Sequence, residues 1–316
     1  MSHRIDTMGA PLLVAWQLTR DCDLACLHCC TESAPGKALP DELTRDEARR
    51  VAAQIVALEV PYVMLCGGEP LVSPHFEEVA RTLGQAGIQL KIETNGQRLD
   101  APVLAWLRTL PIRSIQVSLD GDTQEVYGRQ RIGGSLAKAH AACRAVVDAG
   151  LPLEVTFAPS RLNIDEAAAV IRRARELGAF RLNTGALMRV GTAARHWGRL
   201  EPDGEQYRVM RALLEREAAI PGMELCFEPF TLGQGLRRSA RQPPATLLVL
   251  PNGLVKVAAA LPQICADLRH ESLEEAWQSY RRAWHTAALL AAAGDAIVDE
   301  EQHGRANAWR LLSVHV

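Results

Sequence analysis

Six short apolar runs punctuate the first two thirds of the chain: LLVAWQL over 12–18, YVMLC over 62–66, IQLKIET over 88–94, SIQVSL over 114–119, LEVTFA over 153–158 and RLNTGAL over 181–187. Between them apolar residues return every three or four positions, as in LTRDEARRVAAQIVALE (43–59), HFEEVARTLGQAG (75–87), SLAKAHAACRAVVDAG (135–150) and NIDEAAAVIRRARELG (163–178). The short runs predict strands and the longer period predicts helices, several of which stop at Gly87, Gly150 or Gly178. Strand and helix in six alternations is the signature of a parallel sheet with helices outside. Its natural closure is a partial (β/α)6 TIM-like barrel, with functional loops at the C-terminal ends of the strands.

The rhythm changes after residue 200. A helix is predicted over 203–219, then a strand in MELCFEP (223–229), a Gly-, Arg- and Pro-rich loop over 233–244, a hairpin in LLVLPNGLVKV (247–257) and an Ala-heavy helical tail. Pro251-Asn252-Gly253 supplies the hairpin turn, because Asn and Gly accept positive φ. The chain thus divides into an N-terminal lead (1–11), a barrel (12–200) and a small α+β extension (201–316).

Composition excludes more than it assigns. The length of 316 residues suits one main domain with a modest extension. With 35 basic against 37 acidic residues there is no electrostatic footprint for nucleic acid or an anionic membrane. MSHRIDTMGA carries no long apolar run and no stretch reaches the length of a membrane span, so a cytoplasmic protein is expected. Of eight cysteines three fall in one run and the other five are scattered rather than paired as in a small disulfide scaffold, which fits a reducing compartment.

The chemistry concentrates in Cys22, Cys26 and Cys29, a C-x3-C-x2-C run (CDLACLHC) just after the first predicted strand. Three soft thiolates on one tight loop can hold three irons of a [4Fe-4S] cluster, leaving the fourth iron open to a small chelating molecule. Zinc is the other reading, since Cys30 adjoins the run. Zinc sites, however, commonly pair two C-x2-C-type elements, and no second one exists here.

With that run, the strand order and four further motifs, residues 10–200 resemble radical S-adenosylmethionine (SAM) enzymes. More narrowly, the chain is similar to the branch with a C-terminal SPASM or Twitch extension. The resemblance implies one [4Fe-4S] cluster on Cys22, Cys26 and Cys29, with SAM chelating the fourth iron. In that family reduction of the cluster cleaves SAM to methionine and a 5′-deoxyadenosyl radical, which abstracts a hydrogen atom from the substrate. Gly67-Gly68-Glu69-Pro70 matches the family's GGEP motif, whose glycines let backbone carbonyls approach the SAM ammonium with a carboxylate close by. Glu93-Thr94-Asn95-Gly96 and Ser118-Leu119-Asp120-Gly121 would place Thr94, Asn95, Ser118 and Asp120 at the barrel mouth, where the family binds the SAM ribose. Arg131, rather than Arg129, resembles the arginine that pairs with the SAM carboxylate or orders the following loop, and His28 takes the position packed near the adenine. Met188-Arg189-Val190-Gly191 looks like the loop that closes over it.

The extension departs from its relatives. They carry a cysteine five residues after the turn glycine, where this chain has Ala258, and a dense cysteine cluster beyond the next helix, where this chain has none past Trp277. The helix entrance survives, with Ser272 as N-cap and Glu275 completing a capping box. A scaffold without its auxiliary cluster favours a redox-neutral outcome such as epimerisation, elimination or rearrangement, and Cys265 or Cys226 is a candidate hydrogen-atom donor. Buried cysteines are more often plain core residues. The expected substrate is a peptide, as in natural-product or cofactor-precursor maturation. The alternatives are a small metabolite (a sugar, tetrapyrrole or antibiotic precursor) or a non-catalytic binding protein on the same barrel. An electron donor such as flavodoxin or ferredoxin is an expected partner. With only eleven residues before the first strand, so is a separate leader-peptide-binding protein.

Overall fold

All six predicted strands form: β1 (Leu13–Gln17), β2 (Tyr62–Cys66), β3 (Gln89–Thr94), β4 (Ile112–Ser118), β5 (Leu153–Phe157) and β6 (Arg181–Gly185). The computed structural model describes residues 4–228 and 231–312, and in it these strands lie side by side and parallel. The array grows at both ends. At one, β7 (Glu224–Glu228) adds parallel to β6; at the other, β8 (Thr246–Val249) adds parallel to β1, followed by β9 (Leu254–Lys256), β10 (Gln263–Asp267) and β11 (Arg310–Leu311). The result is one 11-stranded sheet whose edges are β7 and β11, an open rather than a closed barrel. Pro229, the end of the predicted MELCFEP strand, lies outside the described residues, as do residues 1–3 of the lead.

The connecting helices are α1 (Arg45–Ala57), α2 (Phe76–Gln85), α3 (Ala101–Leu107), α4 (Gln124–Gln130), α5 (Leu136–Asp148) and α6 (Ala167–Glu176). After them come two short turns, α7 (Thr192–Arg195) and α8 (Trp197–Leu200), then α9 (Gly204–Ala218), α10 (Leu232–Arg241), α11 (Leu273–Ala283) and α12 (Ala287–Val298). Where a loop was expected over 233–244, α10 forms instead. Its start is fixed by a capping box between Thr231 and Gln234, and Leu232, Leu236 and Ala240 repeat at helical spacing to pack on the core. Gly233 and Gly235 hide that signal, because glycine is a poor helix former. Among the described residues no helix is long and apolar enough to cross a membrane.

The two faces of the sheet are unlike. Leu90 and Ile92 of β3, Ile115 and Val117 of β4, Val155 of β5 and Leu182 of β6 are fully buried in the apolar layer. The alternate residues of the same strands carry charges and amides. Parallel strands covered on both faces usually read as continuous apolar runs, so the alternation marks an inner face built for something polar.

The extension is anchored by aromatics on α11, whose predicted N-cap Ser272 and Glu275 form the expected box. Trp277 stacks on Tyr280 with centroids 5.4 Å apart, and Tyr280 meets Trp284 edge-on. The Trp277 indole N–H donates to the Met8 carbonyl at 2.8 Å, which ties the lead to the extension. Trp277→Ala is expected to cost about 3–5 kcal/mol, read as a lowered midpoint in urea unfolding.

Candidate functional site

The loop after β1 turns tightly beneath a cavity of about 680 Å3 at the C-terminal end of the strands. Cys22, Cys26 and Cys29 all line it. Each sulfur receives donors: Cys22 from the Leu24 N–H (3.5 Å) and the Asn95 amide (3.7 Å), Cys26 from the Arg131 guanidinium (3.8 Å), and Cys29 from the Ser33 N–H (3.3 Å), with the Thr31 hydroxyl at 3.2 Å. Donors aimed at sulfur stabilise a thiolate and tune whatever metal it holds. Without a metal, burial pushes the Cys22 thiol up to about 12, and burial pushes Cys26 up to about 11 although Arg131 opposes it. Iron reverses that balance by displacing the proton. Among the described residues no three His, Cys, Asp or Glu side chains converge as a single ion would require. A cluster offers each thiolate its own iron, so this donor set fits a cluster better than zinc.

Gly67 and Gly68 are needed where the β2 exit crosses the cysteine loop. A Cβ on Gly68 would lie 1.9 Å from the Asp21 carbonyl oxygen, and one on Gly67 2.6 Å from that of Thr19, with φ at +128° besides. The same crossing is stitched by Gly68 N–H to Thr19 O (2.8 Å) and Glu69 N–H to Asp21 O (3.0 Å). Glu69 is fully buried and does not line the cavity. It accepts from the Thr94 hydroxyl (2.8 Å), the Asn95 N–H (2.8 Å) and the Leu71 N–H (3.2 Å), and burial raises its pKa to about 7 despite these donors. Its visible role is to tie the β2 and β3 exits together. Asn95, thus held, reaches Cys22 and also donates to Asp23 at 2.7 Å.

On the β4 side, Ser118 lines the cavity and Asp120 lies fully buried behind it. Arg131 Nε donates to Asp120 at 2.6 Å and His28 Nε2 stands 3.2 Å from the same oxygen. Burial works against the Asp120 carboxylate, but the Arg131 charge and then His28 outweigh it and hold the group well below the usual carboxylate range. Of the two arginines only Arg131 faces inward; Arg129 is exposed and paired with Glu125. His28 lines the cavity, and its Nδ1 is buried with no hydrogen-bond partner among the described residues. An orphaned nitrogen there is a place for a ligand donor.

The remaining walls come from further along the chain. The loop after β6 clamps the cysteine loop: Thr192 N–H donates to Cys29 O at 2.8 Å, Gly191 meets the Cys30 carbonyl where a Cβ would come within 2.5 Å, and Met188 lines the cavity. The extension contributes Leu232, Leu236 and Ser239 of α10 and the run Ala258, Ala259 and Ala260. Cys265 stays away, buried in the core with its thiol donating to Val255 O. Cys226, half-buried on β7 opposite Asn183 and 3.4 Å from Glu224, is not among the lining residues either. Cys30, whose place beside the run raised the zinc reading, and Cys66 do line the cavity.

A group that the motifs did not reveal covers the inner face of the sheet. Lys91 Nζ donates to Gln116 (2.9 Å) and Glu154 (2.8 Å), Asn183 donates to both (2.8 and 2.7 Å), and Gln116 donates to Glu93 (3.1 Å). Glu93, Gln116 and Asn183 line the cavity. The signal that could have found them is alternation: Lys91 and Glu93, Gln116 and Ser118, Glu154 and Thr156, and Arg181 and Asn183 each stand two apart between apolar neighbours.

A family model described as the Radical SAM superfamily matches residues 16–174. The chain is 33% identical over 175 residues, 54% of its length, to an AdoMet-dependent heme synthase of Methanosarcina barkeri, of which 49% is covered. It is 31% identical over 205 residues, 63% of its length, to the mycofactocin maturase MftC of Mycobacterium ulcerans, of which 53% is covered. The chain thus spans about half the length of the curated relatives it matches. In fold it is similar to Streptococcus suis SuiB solved with S-adenosylmethionine, with a TM-score of 0.71 at 13% identity over 98% of this chain and 78% of that one.

Two substitutions test the site's construction. Gly68→Ala is expected to displace the cysteine loop and to lower iron retained after reconstitution at least about twofold, while Gly9→Ala, with open space around it, leaves it unchanged. Arg131→Met strands the buried Asp120 charge and is expected to cost about 3–5 kcal/mol in urea unfolding of the metal-free protein, most of it recovered when Asp120→Asn is added.

Proposed function

The chain belongs to the radical SAM superfamily, and on that premise we propose that it is a radical SAM enzyme modifying a peptide substrate. The observation that carries the reading is the cysteine loop itself, three thiols with directed donors at the floor of a cavity of about 680 Å3. Cys22, Cys26 and Cys29 would hold one [4Fe-4S] cluster. When bound and reduced, that cluster supplies the electron that cleaves SAM to methionine and a 5′-deoxyadenosyl radical able to take a hydrogen atom from the substrate.

This chain's residues would do the rest. Gly67 and Gly68 keep the β2 exit thin enough to pass over the loop, and Glu69 holds Thr94 and Asn95 in place. Asn95 and Arg131 donate to two of the ligand sulfurs, and Arg131, which lines the cavity, would offer a positive charge to a SAM carboxylate. Ser118, at the end of β4, and the free Nδ1 of His28 offer polar contacts for the SAM ribose and adenine. Met188 and the three alanines 258–260 give the cavity apolar surface beside its polar wall.

We assign residues 12–200 to the radical-generating core and 201–316 to an extension that shapes the cavity without holding a cluster of its own. A redox-neutral outcome suits that arrangement. Cys226 and Cys265 remain hydrogen-donor candidates, of which Cys226, on the inner face of β7, stands nearer the polar wall. A relative named PqqA peptide cyclase, of Ruegeria pomeroyi, 32% identical over 221 residues, supports a peptide substrate. The heme synthase relative supports the second reading, the same chemistry on a small metabolite. The partners proposed are a flavodoxin- or ferredoxin-type electron donor and, for a ribosomally made substrate, a leader-peptide-binding protein. A cytoplasmic location suits eight free cysteines.

Anaerobic reconstitution with iron and sulfide is expected to give about four irons per chain, and the variant with all three loop cysteines changed to alanine none. Reduced protein with SAM should release 5′-deoxyadenosine. A full cluster with no SAM cleavage would leave only a binding protein, and bound zinc with no iron-sulfur absorbance would overturn the assignment.

A further inference from the structure

The inner wall of the cavity carries a charge pattern made of residues other than those assigned above to the cluster and SAM. In register across the sheet, Glu93 of β3 faces Gln116 of β4, Gln116 faces Glu154 of β5, Glu154 faces Arg181 of β6, and Arg181 faces Glu224 of β7. Residues in register point to the same side, so these form one polar row. Two cations serve three carboxylates. Lys91 is committed to Glu154 at 2.8 Å, and Arg181 lies between Glu154 at 3.5 Å and Glu224 at 2.7 Å. Glu93 is left at the cavity end of the row with Gln116 at 3.1 Å, and among the described residues its nearest cation is Lys91 at 3.9 Å.

Glu93 also differs from Glu154 in what it faces. Glu154 is sealed beneath the row at 2% exposed, whereas the Glu93 side chain is 32% exposed and lines the cavity. Next to it, Gln116 and Asn183 share their amide groups with the row beneath, which holds their orientation without any ligand. The row's fixed geometry therefore presents one under-neutralised carboxylate to a partly enclosed space, flanked by two oriented amides. A protonated amine brought there would gain a charge-assisted bond to a carboxylate that is only partly exposed to water.

We propose that this wall is the substrate-recognition subsite and that it selects a substrate bearing a protonated amine, such as a lysine side chain, whose ammonium seats on Glu93 between Gln116 and Asn183. The proposal rests on the reading of the cavity as a radical SAM active site. A peptide lysine and a small alkylamine offer the same group, so the test must separate them.

The test is calorimetric titration of the cluster-loaded protein with SAM bound, using Ac-Gly-Lys-Gly-NH2, its norleucine and glutamate counterparts, and n-butylamine. The lysyl peptide is expected to bind about tenfold more tightly than the norleucine peptide, with the glutamate peptide weakest. Glu93→Gln should bring lysine and norleucine within about twofold of each other, and Glu93→Asp should restore most of the preference. Iron content and melting temperature of each variant report whether it folds. A lysyl peptide binding more tightly than n-butylamine assigns the site to a peptide residue; equal binding assigns it to a small amine. Equal binding of norleucine or glutamate, a preference that survives in Glu93→Gln, or no measurable binding of any probe would overturn the proposal. Iron loading and SAM cleavage without the preference would sink this inference alone, whereas failure to load iron would sink the functional reading and leave the amine preference to be judged separately in the metal-free chain.

Discussion

The whole site depends on one crossing, where the Gly67-Gly68-Glu69 segment lies flat on the backbone of Thr19 to Asp21. Two main-chain hydrogen bonds hold the segments together, and any side chain larger than hydrogen at Gly68 would occupy the Asp21 carbonyl. The contact sets the height of the cysteine loop above the sheet. Glu69 then passes the constraint on: fully buried, it takes three donors from the β2 and β3 exits and so fixes Asn95, which reaches back to Cys22 and Asp23. The loop is clamped between two strand exits rather than resting on one. A second tie, from Asp120 through Arg131 to Cys26, closes the far side.

Much of this was legible in the sequence because the apolar runs, the glycine stops and the cysteine spacing each report a local requirement. The six core strands, the β8–β9 hairpin and the Ser272 cap all follow from such signals. What could not be read was relational. The GGEP glycines are explained by a close approach to the cysteine loop, a contact between segments about fifty residues apart that no local pattern contains. The role of Glu69 as an internal tie has the same origin. Helix α10 was hidden because Gly233 and Gly235 interrupt a pattern whose apolar residues pack on the core from a distance in sequence. Cys265 is a further relational case: its position in the core, with its thiol donating to Val255 O, follows only from the assembled sheet.

The polar inner face shows how the same strands serve two demands. One side must bury Ile, Leu and Val against helices, which supplies the folding free energy. The other must keep a cavity open to a polar ligand, so its residues satisfy one another: every amide and charge in the row from Lys91 to Glu224 has a named partner. A half-satisfied network would be a liability in so enclosed a place. Burial works against the Glu154 carboxylate, but Lys91 and, after it, Asn183 outweigh burial and lower its pKa, while burial raises that of Glu93.

The extension supplies a further part of the cavity lining. Its relatives are expected to place thiolates after the turn glycine; here Ala258, Ala259 and Ala260 face the cavity instead. Small residues at that point add volume and remove any ligand for a second cluster, yet the scaffold that presents them is retained, held by α11 aromatics, by the Trp277 bond to Met8 and by Asn307, which donates to the Cys30 carbonyl at 2.9 Å. Leu232, Leu236 and Ser239 of α10 and the three alanines thus line the same cavity as Glu93, Gln116 and Asn183, so the extension's packing on the core fixes the shape of the space into which the polar row opens.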